Sequence, residues 1–208
     1  MNPVGQVSVR RAEPAEHERL AGTLAAAFAD DPAWSWLMPF PDRERRQRLY
    51  FGTELRHLVP GCRETWTVED GGAAAVWAPP GSWRVPAPTV LREAPAMMRV
   101  FGRRLPLALR YLLRAEHKHP RSPEHWYLHY LGAEPARQGQ GLGSALMRPV
   151  LALCDRDEIG AYLESSSERN RALYERHGFR VVETFEMPGG GPSIRRMWRD
   201  PGAGSAAF

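Results

Sequence analysis

The spacing of apolar residues along the chain predicts strands that alternate with helices. Alternating or short apolar segments predict strands over residues 7–10, 63–68, 73–77, 125–133, 161–165, 179–187 and 193–198. Apolar residues that recur about every 3.6 positions predict helices beginning near Glu13, Asp42 and Gly141. A further helix is predicted to follow Ser165 and Glu168, whose spacing is that of a capping box. The pattern therefore predicts one mixed α/β domain.

A helical segment over about residues 86–118 interrupts this regular order. Its apolar residues have helical spacing, and we expect Pro95 and Pro106 to divide it into short helices. We interpret it as an insertion that forms a lid or a wall of an acceptor site. The domain is predicted to span residues 1–200, with a disordered tail over residues 201–208.

The segment from His125 to Ala133 is a predicted strand with apolar residues on both of its sides. Simple alternation places Trp126, Leu128 and Tyr130 on one face and Tyr127, His129 and Leu131 on the other. Since both faces are largely apolar, we expect a central strand that is covered on both sides.

A dense aromatic segment over residues 33–40 is bracketed by prolines and is expected to be a loop. Its side chains either wall an acceptor pocket or belong to the core, and the sequence does not separate these alternatives. As candidates for substrate contact we take Trp34, Trp36, Phe40 and Phe101.

Composition excludes several classes of protein. The 208 residues include 43% hydrophobic ones, which suffices for a core, yet no apolar run is long enough to span a membrane. The N-terminus lacks the apolar segment of a signal peptide, and Cys62 and Cys154 form no disulfide framework, so we expect a cytoplasmic protein. The net charge of +4 comes almost wholly from arginine. We expect neither nucleic acid nor a membrane as partner.

A glycine-rich loop lies between the central strand and the following helix. Gly139, Gly141 and Gly143 allow positive φ and close approach of a ligand to the backbone. The free N–H groups and the dipole of a helix start favour phosphate. The loop lacks the lysine of a P-loop, and Ser144 stands where a dinucleotide fingerprint has its third glycine.

Two motifs resemble those of the GNAT superfamily of acetyltransferases. One is Gln138-x-x-Gly141-x-Gly143, and the other is Asn170-x-x-Leu-Tyr174-x-x-x-Gly178-Phe179. The resemblance implies a mixed, mostly antiparallel sheet of six to seven strands, flanked by helices, with the helical insertion before the central strand. Within the superfamily, segments along most of the chain look like the puromycin N-acetyltransferase group, although residues 33–40 and 82–119 differ.

The resemblance also implies acetyl-coenzyme A as the acetyl donor and a set of residues that bind it. Tyr174 would protonate the departing thiolate, and the backbone around Leu131 would pair with the pantetheine arm. The residues implied to bind the cofactor are Leu131, Gly132, Ala133, Arg137, Gln138, Gly139, Gln140, Gly141, Leu142, Gly143, Ser144, Asn170, Leu173 and Tyr174.

No general base is evident from the sequence. Glu164 lies in an apolar strand where burial could raise its pKa, and it could equally be a structural partner. Glu134 is expected to face solvent, while His129 could relay a proton or be a satisfied core histidine and is kept as a candidate for substrate contact. We expect no metal. Because the base is unclear, we expect a weakly basic α-amine as acceptor.

The leading hypothesis is transfer of an acetyl group to the primary amine of a small molecule, by direct attack through a tetrahedral intermediate. An antibiotic or an aminoacyl-type metabolite would suit it. The alternatives are a protein lysine or N-terminal acetyltransferase and a coenzyme A-sensing module without turnover. The protein is expected to be a monomer or a homodimer.

Overall fold

Seven strands form a single open sheet in the order β1-β2-β3-β4-β5-β7-β6. The structure is a computed structural model that describes residues 7–58 and 64–204. All neighbouring strands are antiparallel except β4 and β5, which are parallel. This confirms the predicted mixed, mostly antiparallel sheet. The strands are β1 Val9–Arg11, β2 Glu64–Val68, β3 Ala73–Ala78, β4 His125–Ala133, β5 Gly160–Ser165, β6 Arg180–Glu186 and β7 Ser193–Arg199.

Seven α-helices cover the two faces of the sheet within the described residues. They are α1 His17–Ala27, α2 Pro32–Leu37, α3 Arg43–Thr53, α4 Ala87–Phe101, α5 Leu105–Lys118, α6 Leu142–Arg156 and α7 Arg171–Arg176. A π-helical turn, Glu54–Leu58, extends α3, and short 3₁₀ turns lie at Pro14–Glu16, Gly102–Arg104, Pro135–Arg137 and Glu168–Asn170.

The sheet separates two apolar cores. The first core lies between the sheet and α1 to α5, and the second lies between the sheet and α6 and α7. Strand β3 shows the alternation that divides them, since Ala74 and Val76 face the first core while Ala75 and Trp77 face the second. All the residues of β3 are buried, so this strand is covered on both sides.

A β-bulge in β4 makes the predicted alternation of that strand wrong beyond Leu128. Val76 pairs with Tyr130 and Trp77 pairs with Leu128, so His129 has no partner in β3. One extra residue moves every later side chain to the opposite face. Tyr130 therefore packs in the first core, whereas Leu131 packs against the second together with Leu128.

The predicted loop over residues 33–40 is in fact mostly helical. Asp31 begins α2, because its carboxylate accepts hydrogen bonds from the N–H groups of Ala33 (2.9 Å) and Trp34 (3.1 Å). Pro32 occupies the first turn, where its missing N–H costs nothing. An aspartate followed by proline was thus the start of a helix and not only the end of the preceding one.

Two further expectations about helix ends were wrong. Pro95 lies inside α4 without ending it, and the insertion divides instead at Gly102, which has φ of +48°. Ser165 and Glu168 form no capping box, because the Ser165 hydroxyl donates to the carbonyl of Ser167. The helix after β5 accordingly starts later than predicted, as α7.

The chain after β7 begins as an ordered turn. The N–H of Gly202 donates to the carboxylate of Asp155 at 2.6 Å, and Asp155 also forms a two-bond ion pair with the buried Arg199. The predicted tail over residues 201–208 therefore has structure in its first four residues. Residues 205–208 and the predicted helix end near Pro60, together with Cys62, lie outside the described residues.

Candidate active site

Strands β4 and β5 diverge halfway along their length and so open the sheet. Their pairing runs from His125 with Gly160 to Leu128 with Leu163 and then stops. Beyond Leu128, residues 130–133 of β4 pair only with β3, so the other edge of residues 129–133 has no neighbouring strand in the described part of the chain. A bound chain can supply the missing hydrogen bonds at such an edge.

The glycine loop lies at the end of this open edge. Gly139 and Gly141 adopt φ of +77° and +78°, and Gly141 is the residue from which α6 begins. No atom of residues 7–58 or 64–204 outside the adjacent chain lies within 4 Å of where a Cβ would stand on either glycine, so the space beside them is open among the described residues. The N-terminus of a fifteen-residue helix thus points its free N–H groups at an open space.

A large cavity of about 620 Å³ runs along this edge and loop. Every residue implied by the resemblance to bind the cofactor borders it except Gln140, which is exposed and donates from its side chain to the carbonyl of Ala136. The cavity walls also include residues that the sequence argument missed: Ala26, Ala27, Phe28, Asp30, Asp31, Pro32, Pro135, Ser167, Arg169 and Arg176.

Three arginines give the loop end of the large cavity a positive rim. Arg137 pairs with the carboxylate of Asp70, while Arg169 and Arg176 lie on the segment that follows β5. A positive rim favours a polyanionic ligand. Arg169 directly precedes Asn170 of the second motif, so its position next to the motif was the feature that could have identified it.

Side chains of the loop are themselves fixed by hydrogen bonds. The amide of Gln138 donates to the carbonyl of Ala133 at 3.2 Å, and the Ser144 hydroxyl lies 2.9 Å from Nε2 of His177. These contacts tie the loop to β4 on one side and to α7 on the other. Pre-formed loops bind ligands without the cost of ordering.

A second, small cavity of about 40 Å³ adjoins the first where β4 and β5 diverge. The two cavities share Phe28, Asp31, Leu131, Ser167, Asn170 and Tyr174 as wall residues. The small cavity is also bordered by His129 and Glu164. Within the described residues its walls include two carboxylates and no lysine or arginine.

Glu164 stands in the small cavity at the end of a hydrogen-bonded chain. The Tyr162 hydroxyl donates to the Glu164 carboxylate at 2.8 Å, and Nε of Arg196 donates to the Tyr162 oxygen at 3.0 Å. Burial raises the pKa of Glu164 to about 7, although the Tyr162 hydrogen bond and the charge of Arg196 lower it. A carboxyl group with this pKa can exchange a proton at neutral pH.

Asp31 is the second carboxylate and was not among the predicted site residues. Its Oδ1 atom caps α2, and its Oδ2 atom accepts a hydrogen bond from the Ser166 hydroxyl at 2.5 Å. Burial raises the pKa of Asp31, while these hydrogen bonds lower it. The sequence indicated the capping role of Asp31, because an aspartate before a proline is a common helix start.

Tyr174 stands at the junction of the two cavities. The residue is buried, and its ring packs edge-on against Phe179 with centroids 6.1 Å apart. Its hydroxyl makes no hydrogen bond to any residue that the structure describes. Burial raises the pKa of this phenol, so the hydroxyl keeps its proton at neutral pH.

The four aromatic residues proposed for substrate contact lie apart from both cavities. Phe101 is buried in the first core against Tyr50, and Trp34, Trp36 and Phe40 pack against the same core. None of the four borders either cavity. Of the two alternatives left open for the aromatic segment, the structure favours the core.

His129 is the one predicted substrate-contact residue that borders the small cavity. The bulge in β4 leaves it between two aromatic rings, with Tyr127 and Tyr130 stacked at centroid distances of 5.0 and 4.2 Å.

Known proteins share both the motifs and the architecture. The sequence model of the acetyltransferase (GNAT) family matches residues 108–179, which include the open strand edge, the glycine loop and Tyr174. An uncharacterized N-acetyltransferase of Schizosaccharomyces pombe is 28% identical over 189 residues, which cover 83% of this chain and 74% of the yeast protein.

Two solved structures have the same fold over nearly the whole chain. The histone acetyltransferase HPA2 and related acetyltransferase of Corynebacterium glutamicum aligns with a TM-score of 0.73 at 24% identity, covering 94% of this chain and 97% of that one. The polyamine N-acetyltransferase of Drosophila melanogaster aligns with a TM-score of 0.60 at 19% identity, covering 93% and 99%.

Residues 108–179 are similar to the GNAT acetyltransferase family, and nearly the whole chain has the fold of solved acetyltransferase structures. Together with the N-acetyltransferase relative, these matches support an acetyl-transferring enzyme.

Proposed function

We propose that this enzyme transfers the acetyl group of acetyl-coenzyme A to the primary amine of a small molecule. The observation that carries the proposal is that Glu164 and Tyr174 border one small cavity, and that this cavity shares wall residues, including Tyr174, with the large cavity beside the glycine loop. A proton acceptor, a proton donor and a phosphate-binding loop are the groups that this reaction needs.

The large cavity fits the coenzyme in three respects. The open edge of β4 around Leu131 and Ala133 can pair with the amides of a pantetheine arm. The N–H groups at the start of α6 can hold the pyrophosphate, and the positive rim can hold the remaining phosphate charge. The reactive thioester would then lie toward the junction with the small cavity, beside Tyr174.

The two titratable residues divide the proton transfers. The ionised Glu164 takes a proton from the amine as its nitrogen forms a bond to the acetyl carbon. A backbone N–H near Leu131 can donate to the oxygen on which negative charge develops. Tyr174 gives its proton to the sulfur as the carbon–sulfur bond breaks. Later proton exchange with water restores both groups.

The position of Glu164 changes the expected acceptor. The sequence argument for a weakly basic α-amine rested on the lack of an evident base. Glu164, with a pKa of about 7, supplies a group that can pass the first proton of an ammonium ion to solvent before the neutral nitrogen attacks and can then take the second proton as the new bond forms. The carboxylates of Asp31 and Glu164 also favour an acceptor that arrives as an ammonium ion. The reason for expecting a weakly basic acceptor amine therefore no longer holds, and a basic primary amine becomes the better candidate.

The relatives support a small amine as acceptor. Two solved structures of the same fold are named for small amines, the Drosophila melanogaster polyamine N-acetyltransferase and an agmatine N-acetyltransferase. The resemblance to the puromycin N-acetyltransferase group keeps an aminoacyl amine, including an antibiotic, among the candidates. A cytoplasmic location stays a prediction.

The test is thiol release from acetyl-coenzyme A in the presence of single amines. Diamines, agmatine, aminoacyl nucleosides and lysine-containing peptides would be compared, and each product identified by the mass of one added acetyl group. We expect turnover with at least one small amine and none of comparable kcat/KM with peptides.

Each other outcome corresponds to one of the alternatives. Efficient acetylation of peptides alone would identify a protein acetyltransferase. Tight binding of acetyl-coenzyme A without turnover of any amine would indicate a sensor. Acetylation that survives in both Glu164→Gln and Tyr174→Phe would contradict the roles proposed for these residues.

A further inference from the structure

The outer sides of α4 and α5 are apolar although they face solvent. Leu91 is 77% exposed, Leu113 is 65% exposed and Met98 is 54% exposed. A surface helix ordinarily has polar residues on its outer side. Apolar residues exposed together on a folded protein mark a surface that contacts something else.

The apolar residues form one ridge on each helix. On α4 the ridge consists of Leu91, Pro95 and Met98, whose spacing keeps them on one side. On α5 it consists of Leu109 and Leu113, with Leu112 beside them. The opposite sides of both helices pack against the first core, so both ridges lie on the outer surface of the same layer.

Exposed arginines accompany both ridges. On α4, Arg92 and Arg99 are the next residues in the sequence after Leu91 and Met98. On α5, Arg110 and Arg114 are the next residues after Leu109 and Leu113. Arg92 has an ion pair with Glu93, whereas Arg99 and Arg110 have no acidic partner among the described residues. The outer surface is therefore both apolar and cationic.

The positive charge of the chain is concentrated in this insertion. Residues 86–118 contain seven lysine and arginine residues and two glutamates, which gives a net charge of +5. The whole chain has a net charge of +4, so the remainder has a net charge of −1. The net positive charge of the protein therefore lies in the segment that contains α4 and α5, the two helices that expose apolar side chains.

We propose that the outer surface of α4 and α5, comprising Leu91, Met98, Leu109, Leu113 and the adjacent arginines, docks on an anionic lipid bilayer. The leucines and Met98 would enter the interface between headgroups and acyl chains. The arginines would pair with lipid phosphates. This contact departs from the expectation of no membrane partner. The helices would lie on the surface of the bilayer, because no helix within residues 7–58 and 64–204 is long and apolar enough to cross it.

Charge argues against a second copy of the chain as the occupant. A two-fold interface would bring the arginines of one surface against the same arginines of the other, and like charges brought together disfavour association. Nucleic acid would satisfy the arginines but would leave the leucines in water. An anionic bilayer complements both kinds of residue.

The test is co-sedimentation of the full chain with lipid vesicles at low and high salt. Binding is expected to vesicles that mix phosphatidylglycerol with phosphatidylcholine, to weaken with salt, and to be far weaker with phosphatidylcholine alone. Arg110→Gln with Arg114→Gln should weaken binding about 30-fold, since each basic residue near an anionic surface contributes about fivefold. Leu109→Ser with Leu113→Ser should weaken it at least about 10-fold.

Matched controls separate docking from general effects. Val182 on β6 is 48% exposed and lies outside this surface, so Val182→Ser should bind vesicles like the wild type. Arg148 is exposed on the outer side of α6, and Arg148→Gln is the control for the loss of a positive charge. This variant should also bind vesicles like the wild type. Unchanged thermal unfolding would show that each variant folds.

Three results would overturn the proposal. The first is no difference between vesicles with and without phosphatidylglycerol. The second is an equal loss of binding in the Val182→Ser or Arg148→Gln control. The third is a dimer in light scattering that Leu109→Ser with Leu113→Ser converts to a monomer, because a second copy would then cover the surface.

Discussion

The two cavities share a wall but are built in different ways. About half of the residues that line the large cavity come from one continuous stretch, residues 131–144, which contains glycines with positive φ. The small cavity is made of side chains from separate parts of the chain, with Asp31 before α2, His129 at the bulge, Glu164 on β5 and Tyr174 on α7.

The difference follows from what each cavity is proposed to bind. A phosphate group can be held by N–H groups that every residue possesses, so a loop of suitable shape suffices. A proton transfer needs particular titratable groups within hydrogen-bond reach of one point. A cavity of the first kind can be encoded locally, and a cavity of the second kind requires the fold to bring distant residues together.

The largest effect should come from Glu164, the proposed general base. Glu164→Gln removes the proposed proton acceptor, and we expect kcat/KM with the best amine to fall about 1,000-fold near pH 8. Glu134→Gln is the matched control, since Glu134 directly follows the neighbouring strand β4 and is not among the residues that border either cavity. If kcat/KM fell as far in Glu134→Gln as in Glu164→Gln, the assignment of Glu164 as the general base would be wrong.

The same variant has a defined effect on stability. The folded protein holds the proton of Glu164 up to a pH of about 7, compared with 4.5 for an ordinary glutamate. Between these values the folded state binds more protons than the unfolded state, so stability should fall as the pH rises. Glu164→Gln should lose that part of the slope in thermal unfolding measured across this range.

Tyr174→Phe should have the next largest effect. It removes the proposed proton donor while keeping the ring that packs on Phe179, so single-turnover rates should fall about 100-fold with unchanged coenzyme affinity. Calorimetric titration with acetyl-coenzyme A gives the second quantity. If the affinity falls and the rate of chemistry does not, Tyr174 has a packing role and no part in proton transfer.

Gly141→Val tests the large cavity. A β-branched residue at φ of +78° is strained by about 1–3 kcal/mol, which should distort the loop and weaken coenzyme binding about 10-fold or more. Gly190 has φ of +72° and equally open surroundings in the hairpin between β6 and β7. Gly190→Val should therefore lose similar stability but bind the coenzyme normally, and equal binding by both variants would place the phosphates elsewhere.

The smallest effect concerns the residue that supports Glu164. Tyr162→Phe removes a hydrogen bond that lowers the pKa of Glu164, so the midpoint of the pH profile of kcat/KM should rise by about 1 unit. Tyr50→Phe, which removes a buried hydroxyl bonded to Tyr130 at 2.8 Å, should leave the midpoint unchanged. If the pH profile of Tyr162→Phe were identical to that of the wild type, the ionisation of Glu164 would not control kcat/KM.

Much of the fold could be predicted from apolar spacing because the sheet is covered on both faces. The strand at β3 and the helix after the glycine loop appeared at nearly their observed bounds, since periodicity is strong where one side of an element is buried. Element ends were less accurate. Pro95 continues a helix that it was expected to break, because the surrounding residues of α4 pack on the core and outweigh the local cost.

The bulge in β4 shows a different limit. A single extra residue at His129 changes which core receives Tyr130 and which receives Leu131, and nothing in a largely apolar segment marks that position. Register is decided by pairing with β3, and the pairing partner lies about fifty residues away in the chain.

The sequence by itself determined the features that depend on local geometry and on apolar periodicity. These are the order of the elements and the glycine loop at the start of α6, because adjacent residues suffice to define each of them. The mostly antiparallel sheet and the acetyl-transfer reaction were expected only from the resemblance of two short motifs to a known family. Only the tertiary structure decided that Asp31 and Glu164 meet at one cavity, that Trp34 and Phe101 belong to the core, and that the ridges of α4 and α5 face solvent. These relations depend on the distances between residues far apart in the chain, which are fixed when the two layers of helices pack against the sheet.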